Sequence, residues 1–489
     1  MTEWVATRAT QSASLAAHVV GALLLLGLAV ASAGAIAIMG FWALLLPFYV
    51  TAAVAAVVRP KETALVALAM AIVFEGGAID FTAPVSQAMY LLPPGWEDAL
   101  GVTTSPLEVV TLLIAGSLAV RAIASGQRLP RLPLVAWAVP VTLLLGLLYG
   151  LQKGGPSNLA YTEMRGLIAG IAVFTIAARL APGNIATIAR VTLSATLTLA
   201  VILLLRYFFY VKTGAVRVPA ELQFAHENSI LLGFGMLIGA GMMLEAKELK
   251  TILGSALYCA VILIAMIATG RRAATLVLLI GGLSVGGLLL PRRPVLVAVV
   301  GIPLMIGSGV YLGAYWNREY GALAQPARAI RSEFDPTLRD QSSDTYRTIE
   351  KQNVIETIRL NRIFGVGFGR PFIQFQPLPY LGSFWPLQSY TPHQSVLWLW
   401  LKMGWFGISV FLGFWVVVVK RCLERMRSRG ITSSEWTTAA VLFSASAAYL
   451  AYATVDLAMA SGRQLGPIAI VAAIALTLPR DSDRQRNAR

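Results

Sequence analysis

About fourteen apolar stretches, most of them near the ~20 residues that cross a bilayer as a helix, follow one another along this chain. They fall near residues 16–33, 38–58, 62–79, 106–123, 132–151, 163–181, 186–210, 228–246, 250–269, 273–290, 294–313, 394–420, 436–457 and 464–479. The first two run together, so the expected number of spans is about twelve to fourteen. None alternates apolar with polar residues as a strand does, and the pattern predicts an all-α polytopic membrane protein rather than a β-barrel. A soluble fold is excluded by composition: 57% of the 489 residues are hydrophobic and 13% charged,. The stretch beginning near Ala16 has no small-residue cleavage site before the next one and reads as a retained helix rather than a signal peptide.

The single long polar interruption divides the chain. Residues 1–313 are expected to form an N-terminal transmembrane bundle of about eleven helices. Residues 314–393 form one large outer loop with short helices, 394–479 about three further spans, and 480–489 a charged tail.

Loop charge orients this arrangement. Arg59 and Lys61, Arg121, Arg128 and Arg131, Lys247 and Lys250, and Arg292 and Arg293 occupy alternate loops on one side. Lys420, Arg421, Arg425, Arg427, Arg429 and the tail arginines join them. The positive-inside rule makes that side cytoplasmic, with both termini inside and the large loop outside. The net charge of +15 is accounted for in the same way, by basic loops meeting anionic headgroups, and calls for no nucleic acid. Two cysteines, Cys259 and Cys422, are too few for a disulfide framework or a thiolate metal site.

Eight charged residues fall at the outer ends of spans: Glu75, Asp80, Arg165, Arg206, Arg271, Arg272, Asp456 and Arg463. Each alone could snorkel to the interface. A charge well inside a span costs on the order of 2.5–3.5 kcal/mol, so eight on one side point jointly to a polar cavity open to the outer leaflet.

Within the loop, Tyr346, Ile349, Ile355 and Ile358 recur at near-helical spacing between Arg347, Lys351, Arg359 and Arg362, which predicts a helix along the membrane face or over the bundle. Gly365-Val366-Gly367-Phe368-Gly369 lacks the spacing and βαβ setting of a dinucleotide site and reads as a tight turn. Five prolines and six aromatic residues between Pro371 and Pro392 keep the next segment extended. Its rings suit the membrane interface, favoured for Phe372 and Phe375, or a sugar face, open for Trp385 and Tyr390.

Of three histidines, His18 starts the first stretch and His226 precedes a span within His226-Glu227-Asn228. His393 follows Pro392 at the start of the span near 394–420. A capping histidine and a proton-accepting one fit His393 equally on spacing alone. Arg271-Arg272 is a basic doublet in a short outer turn, where positive charge is disfavoured, and guanidinium matches phosphate oxygens best. Arg347 is a second candidate. A base with arginines suits displacement at a carbon bearing a pyrophosphate leaving group. No HExxH, Cys/His cluster or Walker motif occurs, and Asp481-Ser482-Asp483 sits in the tail without a domain around it. Neither a metal nor another cofactor is expected.

The run Thr391-Pro392-His393-Gln394-Ser395 through Gly404-Trp405-Phe406-Gly407 resembles the bacterial O-antigen ligase and O-antigen polymerase superfamily. So do Asp344-Thr345-Tyr346-Arg347, the run Asn361 to Gly369, and Thr269-Gly270-Arg271-Arg272-Ala273. The resemblance is specific over about 140 residues and architectural elsewhere. It implies a metal-independent, inverting glycosyltransferase at the periplasmic face of the inner membrane. Such an enzyme moves a glycan from undecaprenyl pyrophosphate to an acceptor hydroxyl on another glycan or on lipid A core. His393 matches the family's base, and Arg272 and Arg347 match its pyrophosphate-holding arginines; Arg165, His226, Tyr390 and Trp385 are supporting candidates on their own position and chemistry. Gln394 stands where asparagine is common, and the doublet offers Arg271 as well as Arg272 for one matched position. Polymerase, ligase and protein O-glycosylation share this donor end. A secondary transporter is the rival of another class, though transporters place charges near the midplane and often carry internal repeats.

Overall fold

The computed structural model describes residues 45–76, 81–91, 104–127, 132–211, 225–318, 322–332, 334–335, 338–379 and 387–479. Sixteen α-helices carry the description below. They are α1 Leu46–Val58, α2 Pro60–Val73, α3 Ala83–Tyr90, α4 Pro106–Ala124, α5 Leu134–Gln152, α6 Ser157–Leu180, α7 Ile185–Arg206 and α8 Glu227–Glu245. They continue with α9 Leu249–Ala268, α10 Arg272–Leu289, α11 Pro294–Tyr315, α12 Gln325–Arg331, α13 Leu338–Leu360, α14 Ser395–Arg427, α15 Ser433–Ala453 and α16 Gly462–Thr477. Among the described residues nine helices are long and apolar enough to span a membrane, and there is no strand. The chain is an all-α, multi-pass membrane protein. The expected stretch 16–33, with His18, lies outside the described residues, as do Asp80, Arg128, Arg131, Trp385 and the tail from Arg480.

Local sequence sets the helix starts. Proline opens α2, α4 and α11, where its missing N–H leaves no donor unsatisfied. Ser105 with Glu108 and Thr432 with Glu435 close reciprocal capping boxes at α4 and α15,. Trp398, Trp415, Tyr449, Tyr452, Leu199, Leu203 and Ile230 lie in one buried cluster drawn from α7, α8, α14 and α15. α11 is the opposite case, with no buried residue.

α14 is the axis of the molecule. It is 33 residues long, about 50 Å at 1.5 Å per residue, and it breaks at Gly404, whose φ of 62° and ψ of −161° are non-helical. The Gly-Val-Gly-Phe-Gly turn fills that break. Val366 N–H donates to Leu401 O at 2.8 Å and Gly367 N–H to Lys402 O at 3.0 Å, while Trp405 N–H donates back to Arg362 O at 2.8 Å. Gly367 sits at φ 83° with its Cα face against Gly150 of α5, leaving no room for a Cβ on either; a left-handed residue in so close an approach has to be glycine. Lys402 and Glu163 of α6, both fully buried, pair at 2.7 Å. Lys402 Nζ donates to Arg370 O and Gly369 N–H donates to Glu163 Oε2, each at 2.5 Å. The loop is thereby pinned to α5, α6 and α14 together.

α13 covers the bundle, and its buried face differs from the apolar stripe expected. Glu350, Asn353, Val354, Thr357 and Ile358 are the buried residues, while Ile349 and Ile355 are half-buried. Asn353 and Thr357 are satisfied by the proline-rich segment. Asn353 exchanges two hydrogen bonds with the Gln376 backbone at 2.8 and 2.9 Å, and Thr357 Oγ1 accepts from Ile373 N–H at 3.0 Å. Phe372, expected at the interface, is buried against Val354, Ile358 and Leu401; Phe375 is exposed.

Candidate active site

The start of α14 is stitched to the α15–α16 connection. Ser395 donates to Asp456 O from its backbone N at 3.3 Å and from Oγ at 3.0 Å, and Ser395 Oγ accepts from Met459 N–H at 3.1 Å. Two residues earlier, His393 is held by a single carboxylate from α13. Its backbone N–H donates to Glu350 Oε2 at 2.9 Å, and Nδ1 lies 3.1 and 3.0 Å from Oε1 and Oε2. Glu350 is only 3% exposed and His393 17%. This carboxylate assigns the ring proton to Nδ1 and makes Nε2 the basic nitrogen of the neutral imidazole. The Tyr346 ring stands edge-on to the imidazole, with centroids 5.7 Å apart. Tyr346 Oη accepts from Gln388 Nε2 at 3.2 Å. Burial pushes its phenol above the ordinary value, so it stays protonated near neutral pH.

The second histidine forms a parallel unit. His226 Nδ1 lies 3.0 Å from Asp456 Oδ2, and Arg271 Nη1 lies 3.0 Å from His226 Nε2. A guanidinium can only donate, so Nε2 is the acceptor and the ring proton points from Nδ1 to Asp456. Burial alone would raise the Asp456 carboxyl. The His226 hydrogen bond, the charge of that ring when protonated, the Leu457 N–H and the charge of Arg347 outweigh it and hold the group below the ordinary carboxylate range. Tyr452 Oη donates to His226 O at 3.2 Å.

These contacts, with one longer-range charge interaction, close a circuit. Arg272 Nη1 lies 3.7 Å from Asp344 Oδ1, joining α10 to the start of α13. Arg347 and Glu350 follow one helical turn apart on α13, Arg347 acting on Asp456 and Glu350 holding His393. Arg271, His226 and Asp456 complete the return. His393, Arg271, Arg272, Arg347 and His226 are thus brought together, whereas the Tyr390 ring lies by the buried Glu163–Lys402 pair, 5.7 Å from Lys402 Nζ. Arg165 is not part of this circuit. It pairs with Glu108 at 3.5 Å beside a cavity of about 480 Å³ lined mainly by apolar residues, with Glu75, Glu227 and Arg463 also in its lining.

The outer-end charges thus face one another. Glu75 pairs with Arg206, lies 3.8 Å from Arg463 and accepts from Asn228 Nδ2 at 3.1 Å. Glu350 is the residue that sequence reasoning missed. Its signal was available: a carboxylate four residues after Tyr346 and three after Arg347, on the side of α13 that also carries Asn353 and Thr357.

Residues 257–412 match the family model described as O-antigen ligase. That segment runs from within α9 to within α14 and contains Arg271, Arg272, Arg347, Glu350 and His393. The resemblance read from the motifs is borne out over it. His226, Arg165 and Asp456 lie outside the matched residues. No curated protein matches the chain.

Proposed function

We propose that this chain, similar to the O-antigen ligase family over residues 257–412, transfers a glycan from undecaprenyl pyrophosphate to an acceptor hydroxyl. It does so at the periplasmic face of the inner membrane, in surface polysaccharide ligation or polymerisation. The observation that carries this reading is His393 clamped by Glu350 within one helical turn of Arg347.

The acceptor hydroxyl meets Nε2 of His393, which takes its proton as the oxygen attacks the anomeric carbon. The bond between that carbon and the pyrophosphate oxygen breaks, and its electron pair leaves with undecaprenyl pyrophosphate. Attack opposite the leaving group inverts the anomeric centre. Glu350 offsets the charge that His393 gains. Arg271, Arg272 and Arg347 meet the charge growing on the leaving group, the role that aimed donors fill best where water is excluded. Arginine supplies here the positive charge that a metal supplies elsewhere, so the route is metal-independent. The prenyl chain lies along the bundle, and the mainly apolar cavity beside Arg165 suits a lipid chain.

The test is purified protein in liposomes with a lipid-linked oligosaccharide. A ladder of glycan lengths identifies a polymerase, and product formed only after lipid A core is added identifies a ligase. Product from neither, together with substrate uptake into the vesicles, overturns the reading in favour of transport.

A further inference from the structure

The far end of α14 carries a second built feature that the transfer chemistry does not use. A groove of about 1060 Å³ runs between the last half of α14, Leu450 of α15, and Leu478 and Pro479 after α16. On α14 the groove follows one face: Leu412, Trp415, Val416 and Val419, then Lys420, Leu423, Glu424 and Arg427. Spacings of three and four keep these side chains on one stripe. The stripe is apolar for its first two turns and turns cationic at Lys420. Lys420 lies 25 residues from Ser395, about 37 Å along the helix, a little beyond the ~30 Å hydrocarbon core.

We propose that this groove is a binding site for an anionic phospholipid, with an acyl chain against Val416 and Val419 and the phosphodiester at Lys420 and Arg427. Charge complementarity selects the occupant. Lys420, Arg421, Arg425 and Arg427 line the groove against one carboxylate, Glu424. Glu424 is shared between Lys420 at 3.7 Å and Arg421 at 3.5 Å, and Arg425 is answered by Glu435 at 2.7 Å. The balance of the lining stays positive. Favourable interaction with the helix C-terminus explains basic residues in the last turn only, whereas Lys420 and Arg421 sit about two turns (~7 residues) before it. Neither a water-soluble anion nor a neutral lipid fits both halves of the stripe. Basic pockets beside transmembrane helices at the cytoplasmic face recognise such headgroups.

Full-length protein in neutral detergent would be loaded with phosphatidylglycerol or phosphatidylcholine of the same acyl chains and examined by native mass spectrometry. Retention of phosphatidylglycerol should exceed that of phosphatidylcholine. Lys420→Gln with Arg427→Gln, both exposed positions, should weaken it about 30-fold, on the order of fivefold per cation removed. Arg59→Gln with Lys61→Gln removes equal charge from exposed positions at the α1–α2 junction, outside this groove, and should change it by less than about twofold. Val416→Trp fills the apolar half at a side chain already 65% exposed and should weaken binding with every cation kept. Equal loss in the loop control would overturn the site in favour of bulk charge. Displacement by millimolar inorganic phosphate would overturn it in favour of a simple anion site. A change of oligomeric state in the groove variants with lipid retention intact would overturn it in favour of a protein interface.

Discussion

Two histidine–carboxylate pairs stand at the same end of this bundle, and they are arranged for different work. In both, Nδ1 faces the carboxylate at 3.0 Å. Glu350 also takes the backbone N–H of His393, so ring and main chain are fixed by one side chain that is itself buried. Asp456 holds only the ring of His226, whose Nε2 accepts from Arg271. His226 is the more open of the two, at 43% against 17%. A nitrogen receiving a guanidinium N–H has to lose that partner before it can take a proton from a substrate. On the proposed function His393, held at ring and main chain by one buried carboxylate, is the base, and His226 is the residue that aims Arg271.

His393→Ala is the largest break available. Transfer should fall at least about 10³-fold, within the range that a positioned base supplies, while expression and membrane insertion stay at wild-type level. His226→Ala should cost on the order of 10-fold, as loss of aim rather than of the base. Measured with one lipid-linked donor, the reverse order would exchange the two roles.

The arginine doublet tests the same comparison from the other side. Arg272 pairs with Asp344 at 3.7 Å and is about a third exposed, whereas Arg271 is engaged with His226 at 3.0 Å. Arg272→Ala should lower turnover about 10²- to 10³-fold, the scale for removing a donor aimed at developing charge. Arg271→Ala should cost more than His226→Ala, and adding His226→Ala to it should cost little further, because His226 acts through Arg271. Full additivity in that double variant would separate Arg271 from His226.

Glu350→Gln keeps the shape of the pair and removes its charge. Turnover should fall about 10²-fold with little change in KM, because the carboxylate acts on the imidazolium formed during transfer. An unchanged turnover number would reduce Glu350 to a loop anchor.

Most of the bundle was legible because span length is imposed by the bilayer rather than by tertiary contacts. Thirteen of the drawn stretches have helices at matching places, from Leu46–Val58 to Gly462–Thr477. His393 and the arginines were legible as chemistry that does not belong in apolar runs. Their partners were less so. Glu350 sits 43 residues from His393 and Asp456 230 from His226, and no local periodicity joins such pairs. The α13 face was misread because Glu350, Asn353 and Thr357 are buried polar groups whose partners come from His393 and the proline-rich segment before it. A helical hydrophobic pattern counts such groups as solvent-facing. The buried Glu163–Lys402 pair was hidden for a like reason, since each member in isolation looks like an error in a span.

The smallest effect separates the two pairs by pH. Asp456 is held below the ordinary carboxylate value in the folded protein, with the His226 hydrogen bond, the charge of that ring when protonated, Leu457 N–H and Arg347 outweighing burial. A depressed folded value means that the carboxylate contributes stability above its unfolded pKa of about 3.9. That contribution is lost as pH falls through the lower folded value. Each unit of depression corresponds to about 1.4 kcal/mol. Asp456→Asn should therefore unfold at a lower temperature than wild type at pH 6. The gap should shrink as both are acidified below about pH 4, because wild type loses what the variant never had. Thermal unfolding of the two proteins in the same detergent across that window measures it. A gap that stays constant down to the acid limit would mean that Asp456 holds His226 by shape alone, and the electrostatic link through Arg347 to the His393 side of the site would fall with it.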